Sequence, residues 1–291
     1  MSDISKRSGS VFVAVLLILI AMISVQGGAS IAKLLFPLVG AEGATSLRMT
    51  FGAIALSLIL KPWKLRIHAS NWPSLLVYGF VLGAMNFLFY QAIKTLPLGI
   101  AVAIEFIGPL TLALVSSRRM VDFVWVILAV TGLILLLPVG VSTEQIDLKG
   151  ALFALSAGIC WAIYILAGRK TGMKNGTGSV AIGCIIAAVF FAPIGFSIAG
   201  SAIFSWHVLP LAVAVGVLST ALPYALEMKA LTVIPARTFG TLMSLEPALG
   251  ALSGFVILHE TLTLNQWFAL LAIVVASLGA TLTIRTNQKA G

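Results

Sequence analysis

Two glutamates, Glu105 and Glu246, lie deep inside long apolar stretches of this chain. An ionisable side chain is costly in such surroundings and by default marks a functional site. A carboxyl group placed there can carry a proton or bind an ammonium group. The alternatives are a neutral, hydrogen-bonded structural acid or an ion pair with Arg48, which lies in another apolar stretch. We expect a functional role for both glutamates and keep these structural alternatives open.

Prolines stand at matched positions around both acids. Pro97 and Pro109 are 12 residues apart. Pro235 and Pro247 are also 12 apart, and they follow the first pair by 138 residues. Pro97 and Pro235 fit the first turn of a helix, whereas Pro109, Pro223 and Pro247 remove a hydrogen bond inside one. The carbonyls predicted to be freed, four residues back in each case, are those of Glu105, Ser219 and Met243. Each break predicts either a kink that serves packing or the wall of a cavity.

The composition is that of a membrane protein. The chain is 60% hydrophobic and 9% charged, whereas soluble domains are about 45–50% apolar and about 25% charged. A membrane helix needs about 20 mainly apolar residues. Ten windows meet this requirement: 11–31, 43–60, 73–94, 97–116, 121–139, 149–168, 178–198, 208–229, 236–257 and 264–284. The sequence therefore predicts an all-α integral membrane protein with ten transmembrane helices, the first of them retained rather than cleaved as a signal peptide.

Basic residues are distributed unevenly around these windows. If the N-terminus lies inside, fourteen of the 18 Lys and Arg residues fall on the inner side, and Arg48 lies within the second window. The three on the outer side are Lys33, Lys94 and Lys149. Because cytoplasmic loops carry an excess of Lys and Arg, we predict that both termini are cytoplasmic. The net charge of +9 belongs to these loops and does not indicate nucleic-acid binding.

The 138-residue offset divides the chain near residue 145 into two halves of five windows each. An odd number of spans inverts the second half relative to the first, so we predict two inverted five-helix repeats, 11–140 and 149–285. The same offset relates Asp122 to Glu260, and each acid precedes the last span of its half. We interpret both as caps of the helix that follows, with a transport role as the alternative.

Polar and aromatic side chains complete the candidate substrate site. Besides Glu105, Glu246 and Arg48, it comprises Asn86, Tyr90, Gln91, Trp161, Tyr164, Tyr224 and Glu227. Each aromatic side chain can instead serve packing alone. Glu227 can form an interfacial ion pair with Lys229 or Arg237. Arg48 either extends outward to the membrane surface or binds a carboxylate.

Several chemistries have no motif in this sequence. There is neither a G-x4-G-K-[ST] phosphate loop nor an H-E-x-x-H zinc motif. The two cysteines, Cys160 and Cys184, lie in apolar stretches and indicate packing rather than a disulfide or a metal site. We therefore expect no ATP, cofactor or metal and no enzymatic activity. The sequence does not indicate an oligomeric state.

Residues 216–263, GVLSTALPYALEMKALTVIPARTFGTLMSLEPALGALSGFVILHETLT, carry a recognisable pattern. A Tyr-containing span is followed by a proline-led helix with Leu-Glu-Pro at its middle and by a closing acid. This resembles the drug/metabolite transporter superfamily, with two EamA-type repeats. Within that superfamily, residues 24–41, 97–110, 116–130 and 219–228 are most similar to the threonine and homoserine exporters of bacterial inner membranes.

The resemblance implies secondary active export of small amino acids such as threonine and homoserine, coupled to proton entry as in an antiporter, by alternating access. Glu105 is then the first choice for contacting the substrate ammonium or a proton. Glu246 is the second choice, as a proton carrier or a structural anchor, and Arg48 is placed to meet the substrate carboxylate. The alternatives are export of other amino acids, drugs or metabolites, uptake of a metabolite, and an uncoupled facilitator. The first repeat departs from the pattern because Phe-Ile-Gly-Pro (106–109) replaces Ser-Leu-Glu-Pro (244–247).

Overall fold

The computed structural model describes residues 2–65, 67–115, 120–136, 147–175, 178–231 and 242–286, and within these ranges every regular element is a helix. The helices are α1 (Ser2–Leu60), α2 (Trp72–Ile93), α3 (Leu98–Glu105), α4 (Ile107–Val115), α5 (Met120–Leu136), α6 (Leu148–Asn175), α7 (Ser179–Ala199), α8 (Val208–Gly216), α9 (Leu222–Leu231), α10 (Glu246–Leu258) and α11 (Leu264–Thr286). A π turn (Val217–Ala221) joins α8 to α9. Short 3-10 helices occur at Pro62–Lys64, Ala69–Asn71 and Gly200–Phe204.

The long helix α1 is two antiparallel arms. Gly40 interrupts it with a φ of 71°, a conformation that a glycine adopts readily. Ser24 Oγ donates to the carbonyl of Leu218, and Arg48 donates to the carbonyl of Ser219. In one straight helix Ser24 and Arg48 would lie about 36 Å apart at 1.5 Å per residue. Because both reach neighbouring carbonyls, the chain must reverse at Gly40, as the first two predicted windows require.

The all-α membrane prediction is confirmed by the length and the surface of the helices. The helices long and apolar enough to cross a membrane are Phe12–Leu60, Ala69–Ile93, Leu148–Gly168, Ser179–Phe204 and Val208–Glu227. Shorter apolar helices are Leu98–Leu112, Phe123–Leu135, Glu246–Leu258 and Leu264–Ala276. Large apolar side chains such as Ile127, Val189 and Val256 are exposed on their outward faces, which suits lipid. The count of ten crossings stays a prediction.

The buried core lies between the two halves of the chain. Helices α3 and α10 pack together, as do α5 and α11, and the arms of α1 pack against α7, α8 and α10. At the α3–α10 crossing a Cβ on Gly99 would come 2.5 Å from the Cβ of Ala251, so glycine permits this close approach. Elements at corresponding positions of the two halves thus meet one another. This pairing fits the predicted inverted repeats, whose boundaries stay a prediction.

Candidate functional site

Arg48 points into the protein rather than out to the membrane surface, which excludes the alternative that it extends outward. Its side chain is only 4% exposed. The guanidinium donates from Nη2 to the carbonyl of Ser219 at 3.0 Å and from Nε to Thr220 Oγ1 at 3.3 Å. Its central carbon lies 5.2 Å from the ring centroid of Tyr90, within cation–π range. Arg48 is therefore a buried cation whose hydrogen-bond partners among the described residues are neutral.

The π turn explains why Arg48 turns inward. Pro223 has no N–H, so the carbonyls of Leu218 and Ser219, which lie five and four residues before it, receive no hydrogen bond from it. Both are satisfied from α1 instead: Ser24 Oγ donates to Leu218 at 2.7 Å, and Arg48 donates to Ser219. The sequence predicted the freed carbonyl of Ser219, and the structure shows its partner. The break therefore binds both arms of α1 to the second half of the chain.

Glu105 is the last residue of α3, and its side chain is 7% exposed. The positive charge of Arg48 acts on the carboxyl group of Glu105. The two side chains nevertheless form no ion pair, because no nitrogen of Arg48 lies within 4.0 Å of a carboxylate oxygen of Glu105. The backbone carbonyl freed by Pro109 has a different environment. A Cβ on Gly158 of α6 would overlap that oxygen, so the break packs directly against α6. The backbone of this break serves packing, and the Glu105 carboxyl remains as the chemical group.

Glu246 lies at the start of a helix, where the sequence had placed it inside a continuous one. Helix α10 begins at Glu246, immediately after a turn at Ser244 and Leu245, and its first turn contains Pro247. A carboxylate interacts favourably with the N-terminal end of a helix. The side chain is 6% exposed, and the charges of Glu227 and Glu105 both act on it. Two buried acids, Glu105 of α3 and Glu246 of α10, therefore share one neighbourhood with the half-buried Glu227 of α9.

A tyrosine cluster adjoins Glu227. Tyr78 Oη donates to Tyr164 Oη at 3.2 Å, and the two rings stack with centroids 5.0 Å apart. Tyr224 lies near both Tyr164 and Glu227. Tyr78 was missed by sequence reasoning, because nothing in its spacing separates it from a packing residue. Of the two predicted alternative partners of Glu227, Lys229 belongs to α9 as Glu227 does, and Arg237 lies outside the described residues.

The remaining predicted residues have different environments. Trp161 packs edge-on to Phe106 with centroids 5.7 Å apart, next to the break after α3. Tyr90 is fully buried, and its hydroxyl has no hydrogen-bond partner among the described residues. Asn86 donates within its own helix to the carbonyl of Leu82. The structure thus places Trp161 against Phe106, the residue after Glu105, and Tyr90 beside Arg48, while the amide of Asn86 is engaged within its own helix.

Gln91 forms its hydrogen bond outside the group of residues around Arg48 and Glu105. Its Nε2 donates to Glu42 Oε1 at 2.9 Å, and Glu42 follows the reversal at Gly40 by two residues. Sequence reasoning did not single out Glu42, because that position reads as a loop between two spans. Gln91 therefore links α2 to the turn of α1, and no contact of the described residues joins it to Arg48 or Glu105.

Glu260 caps a helix of the other half, so its predicted role as a cap of the following helix is wrong. Glu260 Oε2 accepts the backbone N–H of Leu98 at the start of α3, at 2.8 Å. The start of α11 has its own reciprocal pair, in which the Thr263 N–H donates to Gln266 Oε1 and the Gln266 N–H donates to Thr263 Oγ1. The side chain of Asp122 lies outside the described residues.

Helices broken at mid-length, with buried charged groups at their ends and between two halves of one chain, are typical of secondary transporters. The EamA-like transporter family matches residues 148–282. Transporters that align with nearly the whole length of this chain extend the family assignment to the residues before 148. The chain belongs to the EamA-like transporter family, within the drug/metabolite transporter superfamily. It is a membrane transporter and not an enzyme.

Named relatives make the comparison more specific. The chain is 57% identical over 285 residues to the threonine/homoserine exporter RhtA of Escherichia coli (strain K12), covering 98% of this chain and 97% of that one. It is 58% identical over the same length to RhtA of Salmonella typhimurium (strain LT2), with the same coverage. The uncharacterized transporter YwfM of Bacillus subtilis (strain 168) is 28% identical over 247 residues, covering 79% of this chain and 82% of that one. A solved crystal structure with 20% identity aligns at a TM-score of 0.63 over 97% of this chain and 98% of that chain, which shows a shared fold.

Proposed function

We propose that this chain exports threonine, homoserine and similar small amino acids across the bacterial inner membrane, in exchange for protons and by alternating access. The proposal is supported by relatives that are named threonine/homoserine exporters and are 57% and 58% identical over nearly their full length. It is also supported by the chemistry of the buried charges. In this proposal both termini are cytoplasmic, as the distribution of basic residues predicts.

The observation that carries the proposal is a pair of opposite buried charges that do not bond each other. An amino acid is a zwitterion, so its site needs a cation for the carboxylate and an anion for the ammonium group. Arg48 has five N–H donors, and the described hydrogen bonds use two of its nitrogens. The positive charge of that guanidinium acts on Glu105, which is the last residue of α3, where the helix is broken. We assign the carboxylate of the substrate to Arg48 and its ammonium to Glu105.

Proton exchange follows from charge balance in the same neighbourhood. When a substrate ammonium leaves a buried carboxylate, an incoming proton keeps the site from holding an uncompensated charge, which is costly within a membrane. Glu246 and Glu227 are the neighbouring acids that can carry such a proton. Tyr164, Tyr224 and Trp161 shape the apolar walls, and Tyr90 covers one face of Arg48.

The experiment is threonine efflux from proteoliposomes or loaded cells that contain Glu105→Gln at wild-type level. Loss of the carboxylate removes one charged hydrogen-bond partner of the substrate, so we expect efflux to fall about tenfold or more. Asp147→Asn is the matched control, because Asp147 is a half-buried acid directly before α6, outside the proposed site, and it is expected to keep wild-type efflux. Undiminished efflux by Glu105→Gln would remove Glu105 from the mechanism. Wild-type efflux that does not respond to a collapsed proton gradient would favour an uncoupled facilitator.

A further inference from the structure

Four residues tie the two halves together at one end of the molecule, and we call them the outer bridge: Lys33, Leu96, Leu98 and Glu260. Lys33 Nζ donates to Glu260 Oε1 at 2.6 Å and to the carbonyl of Leu96 at 2.9 Å. The other carboxylate oxygen of Glu260 accepts the Leu98 N–H at 2.8 Å. Glu260 belongs to the second half of the chain, and the other three belong to the first.

The backbone holds Glu260 in place for these contacts. His259 adopts a left-handed φ of 55°, and the Glu260 N–H donates to the carbonyl of Gly254 at 3.1 Å. A Cβ on Gly254 would overlap Glu260 Oε2, so glycine leaves the room that the carboxylate occupies. The turn at the C-terminal end of α10 therefore holds the carboxylate of Glu260 where it contacts α3.

The outer bridge lies between the proposed substrate site and the nearer surface of the molecule, where it can close the site. Leu98 begins α3, and Glu105 lies seven residues further along the same helix, about 10 Å deeper at 1.5 Å per residue. Lys33 and Glu260 are 23% and 15% exposed. The pair is thus sheltered enough to be more than a solvated surface contact, yet water can reach it when the halves separate. Beside the outer bridge, the Thr95 hydroxyl donates to Asp147 Oδ2 at 2.8 Å, a more exposed contact between the halves that involves no ion pair.

We propose that the outer bridge is the gate on this face of the transporter. While its three contacts hold, α3, α10 and the first arm of α1 stay together and the substrate cannot leave past Leu98. Release on this face requires Glu260 to leave both Lys33 and the N-terminus of α3. The inference rests on the alternating access of the proposed function.

A reversible tether across the outer bridge is the direct test. The chain has two cysteines, Cys160 and Cys184, which are replaced by alanine before Lys33→Cys and Glu260→Cys are introduced together. A bis-methanethiosulfonate reagent then joins the two positions in proteoliposomes. We expect threonine transport to stop on tethering and to return when a reductant cleaves the tether. The two single-cysteine proteins, treated in the same way, are expected to keep transporting.

A second measurement separates gating from folding. Glu260→Gln removes the charge that Lys33 needs and keeps an oxygen that can accept the Leu98 N–H. The Glu260→Gln variant therefore favours the state that is open to this face. The measured quantity is the apparent KM for threonine supplied from this face divided by the apparent KM for threonine supplied from the opposite face. This ratio should fall about three- to fivefold. A merely structural role would lower transport from both faces and leave the ratio unchanged.

The outcomes distinguish the two proposals. If the wild-type protein transports no amino acid, the proposed function fails and the gate fails with it. If the wild type transports threonine but the tethered protein does so at the untethered rate, or if Glu260→Gln leaves the KM ratio unchanged, the gate alone is overturned.

Discussion

The hydrogen bond from Arg48 to the Ser219 carbonyl depends on Pro223, and this dependence can be measured. In Pro223→Ala the new backbone N–H lies four residues after Ser219 and can donate to the same carbonyl. Arg48→Met removes the guanidinium and keeps a long, adaptable side chain. We expect Arg48→Met to destabilise the natural protein more than it destabilises the Pro223→Ala protein.

The magnitude follows from what each change leaves unpaired. A buried carbonyl without a donor costs about 1–3 kcal/mol. Removing a buried guanidinium also removes its desolvation cost, which acts in the opposite direction. This second contribution is the same with Pro223 or Ala at position 223, so it cancels in a double-mutant cycle. The double variant should therefore be about 1–2 kcal/mol more stable than the sum of the two single effects predicts.

The assay is thermal unfolding of the four purified proteins in one detergent, where 1 kcal/mol corresponds to about 2–4 °C in the apparent Tm. Thr220→Val is the matched control. It removes the other hydrogen-bond partner of Arg48, the acceptor for Nε, and leaves the Ser219 carbonyl as it was, so its effect should add to that of Pro223→Ala. Strictly additive effects of Arg48→Met and Pro223→Ala would refute the argument, because the two positions would then not share the carbonyl.

Two further outcomes follow from local geometry. Gly158→Ala places a Cβ against the backbone carbonyl of Glu105, so we expect a loss of about 1–3 kcal/mol in the free energy of unfolding. Gly27→Ala is the control, because its Cβ would meet its nearest neighbour at 4.0 Å, and it should leave the apparent Tm unchanged. Equal effects of the two substitutions would contradict the packing argument. The hydrogen bond from Thr95, with backbone N–H groups of α6, lowers the pKa of Asp147 below its ordinary value. This stabilisation is therefore present above about pH 4 and is lost as pH falls through the lowered pKa; Asp147→Asn should flatten that part of the profile of Tm against pH, and an unchanged profile would contradict it.

Much of the fold could be predicted because membrane helices obey strong local rules. Each of the ten apolar windows is mostly helical where the structure describes it, with interruptions at Phe106 and at Ser244 and Leu245. The prolines also marked the breaks, although the exact positions differ: α3 ends at Glu105, four residues before Pro109, while α10 begins directly before Pro247. A proline shows that a hydrogen bond is missing, but the neighbouring helices decide which turn opens. The offset of a few residues is a tertiary effect that a single stretch does not contain.

The partners in the site could not be predicted, because they are distant in sequence. Pro223 predicted a free carbonyl at Ser219, whereas its donor, Arg48, lies 171 residues away and arrives only because α1 reverses. The cap of α3 is a similar case, since Glu260 is 162 residues from Leu98. A local rule assigns a carboxylate to the nearest helix start, and it failed because the start of α11 already had partners in its own first turn.

The broken symmetry between Glu105 and Glu246 gives the two acids different surroundings. Glu105 ends a helix, where carbonyl groups and the helix dipole favour a cation beside it, and the positive charge of Arg48 also acts on its carboxyl group. Glu246 begins a helix, where free N–H groups and the dipole favour the carboxylate itself. A substrate ammonium is therefore better placed at Glu105 than at Glu246. The same proline spacing has thus produced one helix end that suits a positive ligand and one that suits a bare carboxylate. An exchanger that binds an ammonium at one group and returns a proton at another requires this kind of difference.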